Sequence, residues 1–270
     1  MTASYKKIVT HAGQFHADEV LTIAFLRLLG CSAPIERTYA PIADDFADPL
    51  VVVLDVGQRY EPQLGNFDHH QDGNLEATNV LVLTHFAPKI GGRITDELSR
   101  RLFARVSAVD RGAVVFNDAT PLPEFNTLIR AFNNVADGFD RAVLVATEIL
   151  EAQFIMAGKA ITDVDRWNAL DKQGGIAVQQ DTDVILGWKE RAKAEGVFLL
   201  VCPNLRGGYS VISRDSNELI IPATEIQTFR HASGFMATYP TVDDAIAHAR
   251  LLVPLPAHIP TRTSLYGFDY

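Results

Sequence analysis

The chain has 270 residues, room for about two domains at the usual ~150 residues each, and its 47% hydrophobic and 21% charged content excludes a disordered polymer. No apolar run approaches the roughly 18–20 residues of a membrane span, the first ten residues lack secretory or transit-peptide character, and two cysteines, Cys31 and Cys202, are too few for a disulfide framework or a thiolate metal site, so a cytoplasmic, reducing setting is expected. With 24 basic against 33 acidic residues, a net charge of −9, the molecule repels a polyanion at long range. Local help would come from bound divalent cations or from the stretch Arg93, Arg100, Arg101, Arg105, Arg111, which reads equally well as a solvated helix face.

Lys7–Thr10 and His11 read as a first strand, followed by a Gly-containing turn and an amphipathic helix from Ala17 to Leu29. Val20, Leu21, Ala24, Phe25 and Leu28 keep helical spacing, Asp18 and Glu19 sit where the helix dipole favours acids, and Gly30 stops the helix. Strands are expected at Ile35–Tyr39 and Leu50–Val56, the second a continuous apolar run of the kind buried on both faces of a parallel sheet. Helical patterns follow from Leu75 to Leu170, with breaks at Pro88–Gly92 and Pro121–Pro123. Gly174-Gly175 and the polar run Gln179–Asp183 suggest the end of a first domain, 1–180. A smaller domain, 181–270, would hold a helix at Val184–Glu195, a hairpin of Val197–Cys202 with Tyr209–Arg214, and a last helix opened by the capping-box-like Thr241–Asp244. The class is α/β, with a mainly parallel N-terminal sheet flanked by helices.

Histidine and aspartate fall where such a sheet binds ligands, outside the carboxyl ends of its strands. His11 closes the first strand, His16 and Asp18 follow in the turn and helix start, Asp55 closes the apolar strand, and Asp68-His69-His70 comes next. Singly, each reads as an ordinary loop histidine, helix acid or strand-end cap. Jointly, imidazoles and carboxylates without thiolate suit Mn²⁺, Fe²⁺, Co²⁺ or Zn²⁺. A pair of such ions, about 3.5–4 Å apart, needs a bridging carboxylate, for which Asp55 is the natural candidate.

The run Thr10-His11-Ala12-Gly13-Gln14-Phe15-His16-Ala17-Asp18-Glu19, then Asp55-Val56-Gly57 with Tyr60, then Phe67-Asp68-His69-His70-Gln71, resembles the melanocyte-proliferating-gene (Myg) family of the DHH phosphoesterase superfamily. Ala108-Val109-Asp110-Arg111-Gly112 is similar to a later Asp motif of that family, and His231-Ala232-Ser233-Gly234-Phe235, read as preceding a helix, to its C-terminal His motif. The resemblance implies a two-lobed DHH-type α/β fold, a dinuclear Mn²⁺-type centre and hydrolysis of phosphate esters; Myg proteins are regarded as 3′-to-5′ RNA exonucleases, at least in eukaryotes. Carried over, it implies one ion on His11, His16 and Asp55 and a second on Asp18, Asp55, His69 and Asp110. His16 stands where many DHH enzymes place Asp, which softens the first site toward Zn²⁺ or Fe²⁺.

The expected chemistry is in-line attack on phosphorus by a hydroxide shared between the ions. His70 would face the substrate phosphate, Asp68 would orient an imidazole N–H, and Arg111 or Arg230 would add positive charge. His231, with Ser233 and Gly234, would grip a terminal phosphate or sugar, while His85 and His248 read as structural. The substrate is RNA or a short oligonucleotide stacked on aromatics such as Phe15, Phe67 or Tyr209. A small phosphorylated molecule and a non-catalytic metal-binding regulatory role stand as alternatives, with assembly into a homo-oligomer left open.

Overall fold

The computed structural model describes residues 5–114 and 123–254. The chain divides into two compact units, Met1–Ile161 and Thr162–Tyr270, so the division falls earlier than residue 180. Gly174-Gly175 is no linker but a turn inside the second unit. The expected break at Pro121–Pro123 lies largely outside the described residues.

In the first unit, β1 (Lys7–Thr10) leads into α1 (Ala17–Leu28), β2 (Ile35–Arg37), α2 (Ala43–Ala47) and β3 (Val51–Leu54). Two short strands follow, β4 (Tyr60–Glu61) and β5 (Asn66–Phe67). The sheet order is β2-β1-β3-β5-β4, parallel except for β4. Alternation along the strands divides the apolar residues between two faces. Ile8, Val52 and Leu54 join the large core with α1, whereas Val9, Val51 and Val53 pack with Phe46 of α2. The chain leaves β1 for β2 on one side and reaches β3 on the other, so β1 and β3 flank a topological switch point, where open α/β sheets bind ligands.

The helical stretch comprises α3 (Thr78–Ile90), α4 (Gly92–Leu98), a π-helical turn at Ser99–Phe103, α5 (Ala104–Asp110), α6 (Phe125–Ala131) and α7 (Gly138–Asn168). The break expected at Pro88–Gly92 falls at Gly91: Pro88 is carried within α3, which ends at Ile90, and the φ of +92° at Gly91 suits a residue without Cβ.

The second unit adds β6 (Asp171–Gln173), β7 (Ile176–Val178), α8 (Trp188–Ala194), β8 (Leu199–Pro203), β9 (Tyr209–Ser213), β10 (Phe229–Arg230), β11 (Met236–Tyr239) and α9 (Val242–Leu252). They form a mainly antiparallel sheet, β10-β11-β9-β8-β7-β6, with only β7 and β8 parallel. The helix expected from Val184 starts four residues late because side chains hold the preceding segment as a loop: Asp163 accepts the Leu186 amide at 2.7 Å, and Arg166 donates to the Asp183 carbonyl at 2.7 Å. His231–Phe235 does not lead into a helix. It is the turn between β10 and β11, closed by Gly234 N–H donating to the His231 carbonyl at 2.8 Å. Among the described residues no helix is long and apolar enough to cross a membrane.

Candidate metal centre

Strand register builds the site. Thr10 pairs with Leu54 and Leu54 with Phe67, so the next residue of each strand, His11, Asp55 and Asp68, falls in one row beyond the sheet's carboxyl edge. Asp55 takes a left-handed conformation, φ 58°, as do Gly57 (97°) and Gln58 (55°). Such backbone is costly for a residue with a side chain and persists where the surroundings impose it. Here they do: Asp55 N–H donates to the Phe67 carbonyl at 3.0 Å and Gln58 N–H to Asp68 Oδ2 at 2.6 Å.

The turned Asp55 side chain is buried and presents one oxygen to each of two groups. Its Oδ2 lies 3.4 Å from His11 Nε2, its Oδ1 3.3 Å from His69 Nε2 and 3.7 Å from His70 Nδ1, and Thr78 Oγ1 donates to Oδ1 at 3.3 Å. Asp110, at the C-terminal end of α5, brings its Oδ2 to 3.2 Å from His69 Nε2. A carboxylate at a helix C-terminus opposes the dipole, a cost that a cation offsets.

Three overlapping groups have ligand atoms within 4.8 Å of one another: His11, His16, Glu19 and Asp55; Asp55, His69 and His70; His16, Asp18 and Asp110. The structure thus gathers His11, His16, Asp18, Asp55, His69 and Asp110, and adds Glu19. Glu19 looked like a first-turn acid, and it is one, accepting the His16 amide at 2.8 Å. The same oxygen, Oε1, lies 2.9 Å from His11 Nε2. The capping spacing His16-x-x-Glu19 was the available signal.

Within this cluster both carboxylate oxygens of Asp18, His11 Nε2 and His69 Nε2 are buried without a hydrogen-bond partner. Buried polar atoms are otherwise nearly always paired. His11 Nδ1 lies 3.0 Å from the Ala12 carbonyl and so carries a proton, and Nε2 is the ring atom that faces the carboxylates. This donor set, imidazole and carboxylate with orphaned atoms converging, fits divalent cations. The titration shifts agree. Burial, then the charges of Asp55 and Asp110, push Asp18 well above the usual carboxylate range. Burial would lower His11 and His69, but adjacent carboxylates raise them to about 10 and about 9. Asp55, which burial would raise, is held at about 2 by His11 and His69. The cluster draws positive charge inward.

Around it, side chains distant in sequence fix the ligand-bearing loops. Asn133 accepts the Phe15 amide at 2.9 Å and donates to the Phe15 carbonyl at 2.8 Å. Arg37 donates to the carbonyls of His11 at 3.2 Å and Gly13 at 2.7 Å. Asp68 Oδ1 takes His70 Nδ1 at 2.7 Å, a contact that raises His70. The long-range pairs made by Asn133 and Arg37 leave no local sequence signal.

The expected arginines are otherwise engaged. Arg111 donates to the Leu75 carbonyl at 2.9 Å and to Glu76 at 3.0 Å, latching the end of α5, and so Asp110, to the segment that precedes α3. In the arginine-rich stretch, Arg93 donates to the Ile161 carbonyl, Arg100 and Arg101 pair with Glu97, and Arg105 with Glu124, which favours the paired helix surface over a basic groove. In the second unit, Arg230 donates to the Ile221 carbonyl at 2.6 Å, and His231 Nδ1 is bonded to Ser233 Oγ at 2.9 Å in an exposed turn. Gly234 is there because a Cβ would lie 2.5 Å from Ile220.

Comparison with known proteins places residues 7–87 in the match to the family model MYG1_exonuc, described as "Uncharacterised protein family (UPF0160)". This bears out the resemblance for the motifs from Thr10 to Gln71; those at Ala108–Gly112 and His231–Phe235 lie outside the match. MYG1 exonuclease of Bos taurus is 30% identical over 155 residues, 46% of this chain and 40% of that protein. MYG1 protein YER156C of Saccharomyces cerevisiae is 43% identical over 76 residues, 27% of this chain and 21% of its own. The chain thus spans about 40% of the length of the mammalian relatives it matches. Among solved structures, RecJ in complex with Mg²⁺ from Thermus thermophilus aligns over 93% of this chain and 50% of that one at 12% identity, with a TM-score of 0.28, a loose likeness.

Proposed function

We propose that the chain is a metal-dependent phosphodiesterase, a 3′-to-5′ exonuclease on RNA or short oligonucleotides that works with two divalent ions, Mn²⁺ or alternatively Zn²⁺ or Fe²⁺. The observation that carries this reading is the buried cluster around Asp55, in which orphaned ligand atoms converge and one carboxylate serves two groups. The exonuclease named among the relatives supports the reaction class. His11, His16, Glu19 and Asp55 would hold one ion, and Asp18, Asp55, His69 and Asp110 the other. When bound, such ions supply a water acidic enough to attack phosphorus near neutral pH and a clamp on the phosphate oxygens.

The chain's own residues do the rest. His70 is half exposed at the cluster's edge, and with its Nδ1–H held by Asp68 its Nε2 is left to bind or protonate an oxygen of the substrate. Asp68 is a positioning residue, and Arg111 keeps Asp110 in place. In the second unit, the exposed His231–Ser233 turn, supported by Gly234 and Arg230, is assigned to gripping a substrate end.

The test is a timed digestion of a 5′-labelled RNA with Mn²⁺-loaded protein beside Asp55→Ala and beside a dinucleotide. A ladder shortening from the 3′ end, at least ~10³-fold slower in the variant, is the expected result. Full activity in Asp55→Ala would sink the bridging assignment. The net charge of −9 favours, as a second reading, a small phosphorylated substrate; an intact oligomer with rapid dinucleotide cleavage would establish it.

A further inference from the structure

A cavity of about 260 Å³ adjoins the cluster in the first unit, lined by His16, Ala17, Val109, Asp110, Asn126 and Arg130. Two of these, His16 and Asp110, belong to the metal-holding groups. The remaining polar walls come from α6, where Asn126 and Arg130 stand four residues apart on one helix face. The volume falls just below the ~300–1,000 Å³ of whole-ligand sites, a size for one phosphate and its sugar.

Arg130 is the cation in this wall, and among the described residues no carboxylate or carbonyl takes its guanidinium. Other arginines of the first unit are committed: Arg105 to Glu124, Arg111 to Glu76, Arg37 to two backbone carbonyls. An unpaired arginine beside an acid-rich cluster is unexpected unless those acids are neutralised otherwise. Charge accounting explains it: Asp18, Glu19, Asp55 and Asp110 balance two divalent ions, and Asp68 is matched by His70. Among the described residues that line the cavity, Arg130 is then the cation left for the anionic phosphodiester, and its planar fork suits two phosphate oxygens at once.

Resting on the metal-dependent phosphodiesterase reading, we infer that Arg130, with Asn126 beside it, forms the phosphate subsite of this centre and holds the nucleotide phosphate against the metal-holding edge made by His16 and Asp110. This is the role that the sequence had offered to Arg111 or Arg230. It predicts that the arginine acts on binding of the anion and leaves the ligand cluster untouched, since it contacts none of the carboxylates.

The experiment uses the full chain loaded with Mn²⁺ and titrates adenosine 5′-monophosphate calorimetrically into wild type, Arg130→Ala and Arg130→Lys, with Mn²⁺ uptake measured in parallel. Expected is at least tenfold weaker nucleotide binding in Arg130→Ala, partial recovery in Arg130→Lys, unchanged Mn²⁺ uptake, and a diester KM raised more than kcat is lowered. Nucleotide affinity within twofold of wild type in Arg130→Ala, or no binding to wild type, overturns the subsite whether or not RNA is cleaved. If wild type cleaves no diester while Arg130→Ala still loses the nucleotide, the subsite stands and the exonuclease reading falls.

Discussion

The two units each hold histidines beside other polar groups, and they treat them in opposite ways. In the second unit His231 Nδ1 is bonded to Ser233 Oγ, and His248 Nδ1 to the Tyr239 hydroxyl, itself bonded to Gln227. In the first, His11 Nε2 and His69 Nε2 sit within 3.4 Å of carboxylates yet align with none as hydrogen bonds, and buried Asp18 has no partner for either oxygen. A chain that folds to its own advantage satisfies buried polar groups. Leaving several unsatisfied in one place costs stability, which is recovered when something else binds there. Orphaned imidazole nitrogens thus mark where a cation would be held, whereas a bonded one such as that of His70 or His231 carries no such sign.

The strongest way to break that contrast is Asp18→Asn. The carboxamide replaces a buried carboxyl whose ionised form its surroundings disfavour, and offers donors to the neighbouring carboxylates. The metal-free variant should therefore melt above metal-free wild type, while Mn²⁺ is expected to raise the melting temperature of wild type and to do much less for the variant. A scan with and without chelator reads both, and a metal-free variant melting below wild type would mean that Asp18 is not an unpaired burden.

A smaller effect is expected from Asn133→Ala, which strips both hydrogen bonds from the buried backbone of Phe15. The loss should be about 1–3 kcal/mol by denaturant unfolding. It should be accompanied by weaker Mn²⁺ uptake, because the loop between His11 and His16 loses its anchor. Unchanged uptake would show that the loop is held by Arg37 alone.

The smallest effect belongs to the second unit. Burial lowers the pKa of His248 below its ordinary 6.5. Its contribution is therefore fully present above pH 6.5 and is lost as the pH falls toward the depressed folded value, since the unfolded chain takes up the proton first. His248→Gln should flatten the fall in melting temperature between about pH 7 and pH 5. A slope identical to wild type would remove His248 from the structural group.

Much of this was legible in the sequence where pattern and structure share a cause. The apolar run of β3 and the helical spacing of α1 announced themselves because burial on both sides demands such residues. His11 and Asp55 were legible as ends of strands. Asn66-Phe67 was not, since two residues become a strand only by pairing with β3. The polar β10 and the short β11 were hidden likewise, which turned the His231 loop into an apparent helix approach. Arg111 looked free because its partners lie 35 and 36 residues earlier, and Asn133 was silent because it acts 118 residues away. Local chemistry is written locally, whereas the partners that commit a side chain are set by the fold.

The double duty of Glu19 has a consequence for motion. Its carboxylate holds the amide that starts α1 while lying against His11, so one group is shared between a helix end and the cluster. Drawing that carboxylate toward a cation takes it from the His16 amide, and the first turn of α1 then exchanges its amide hydrogens with solvent sooner. The protection of a single backbone N–H becomes a gauge of whether the centre is filled, readable without substrate and without turnover.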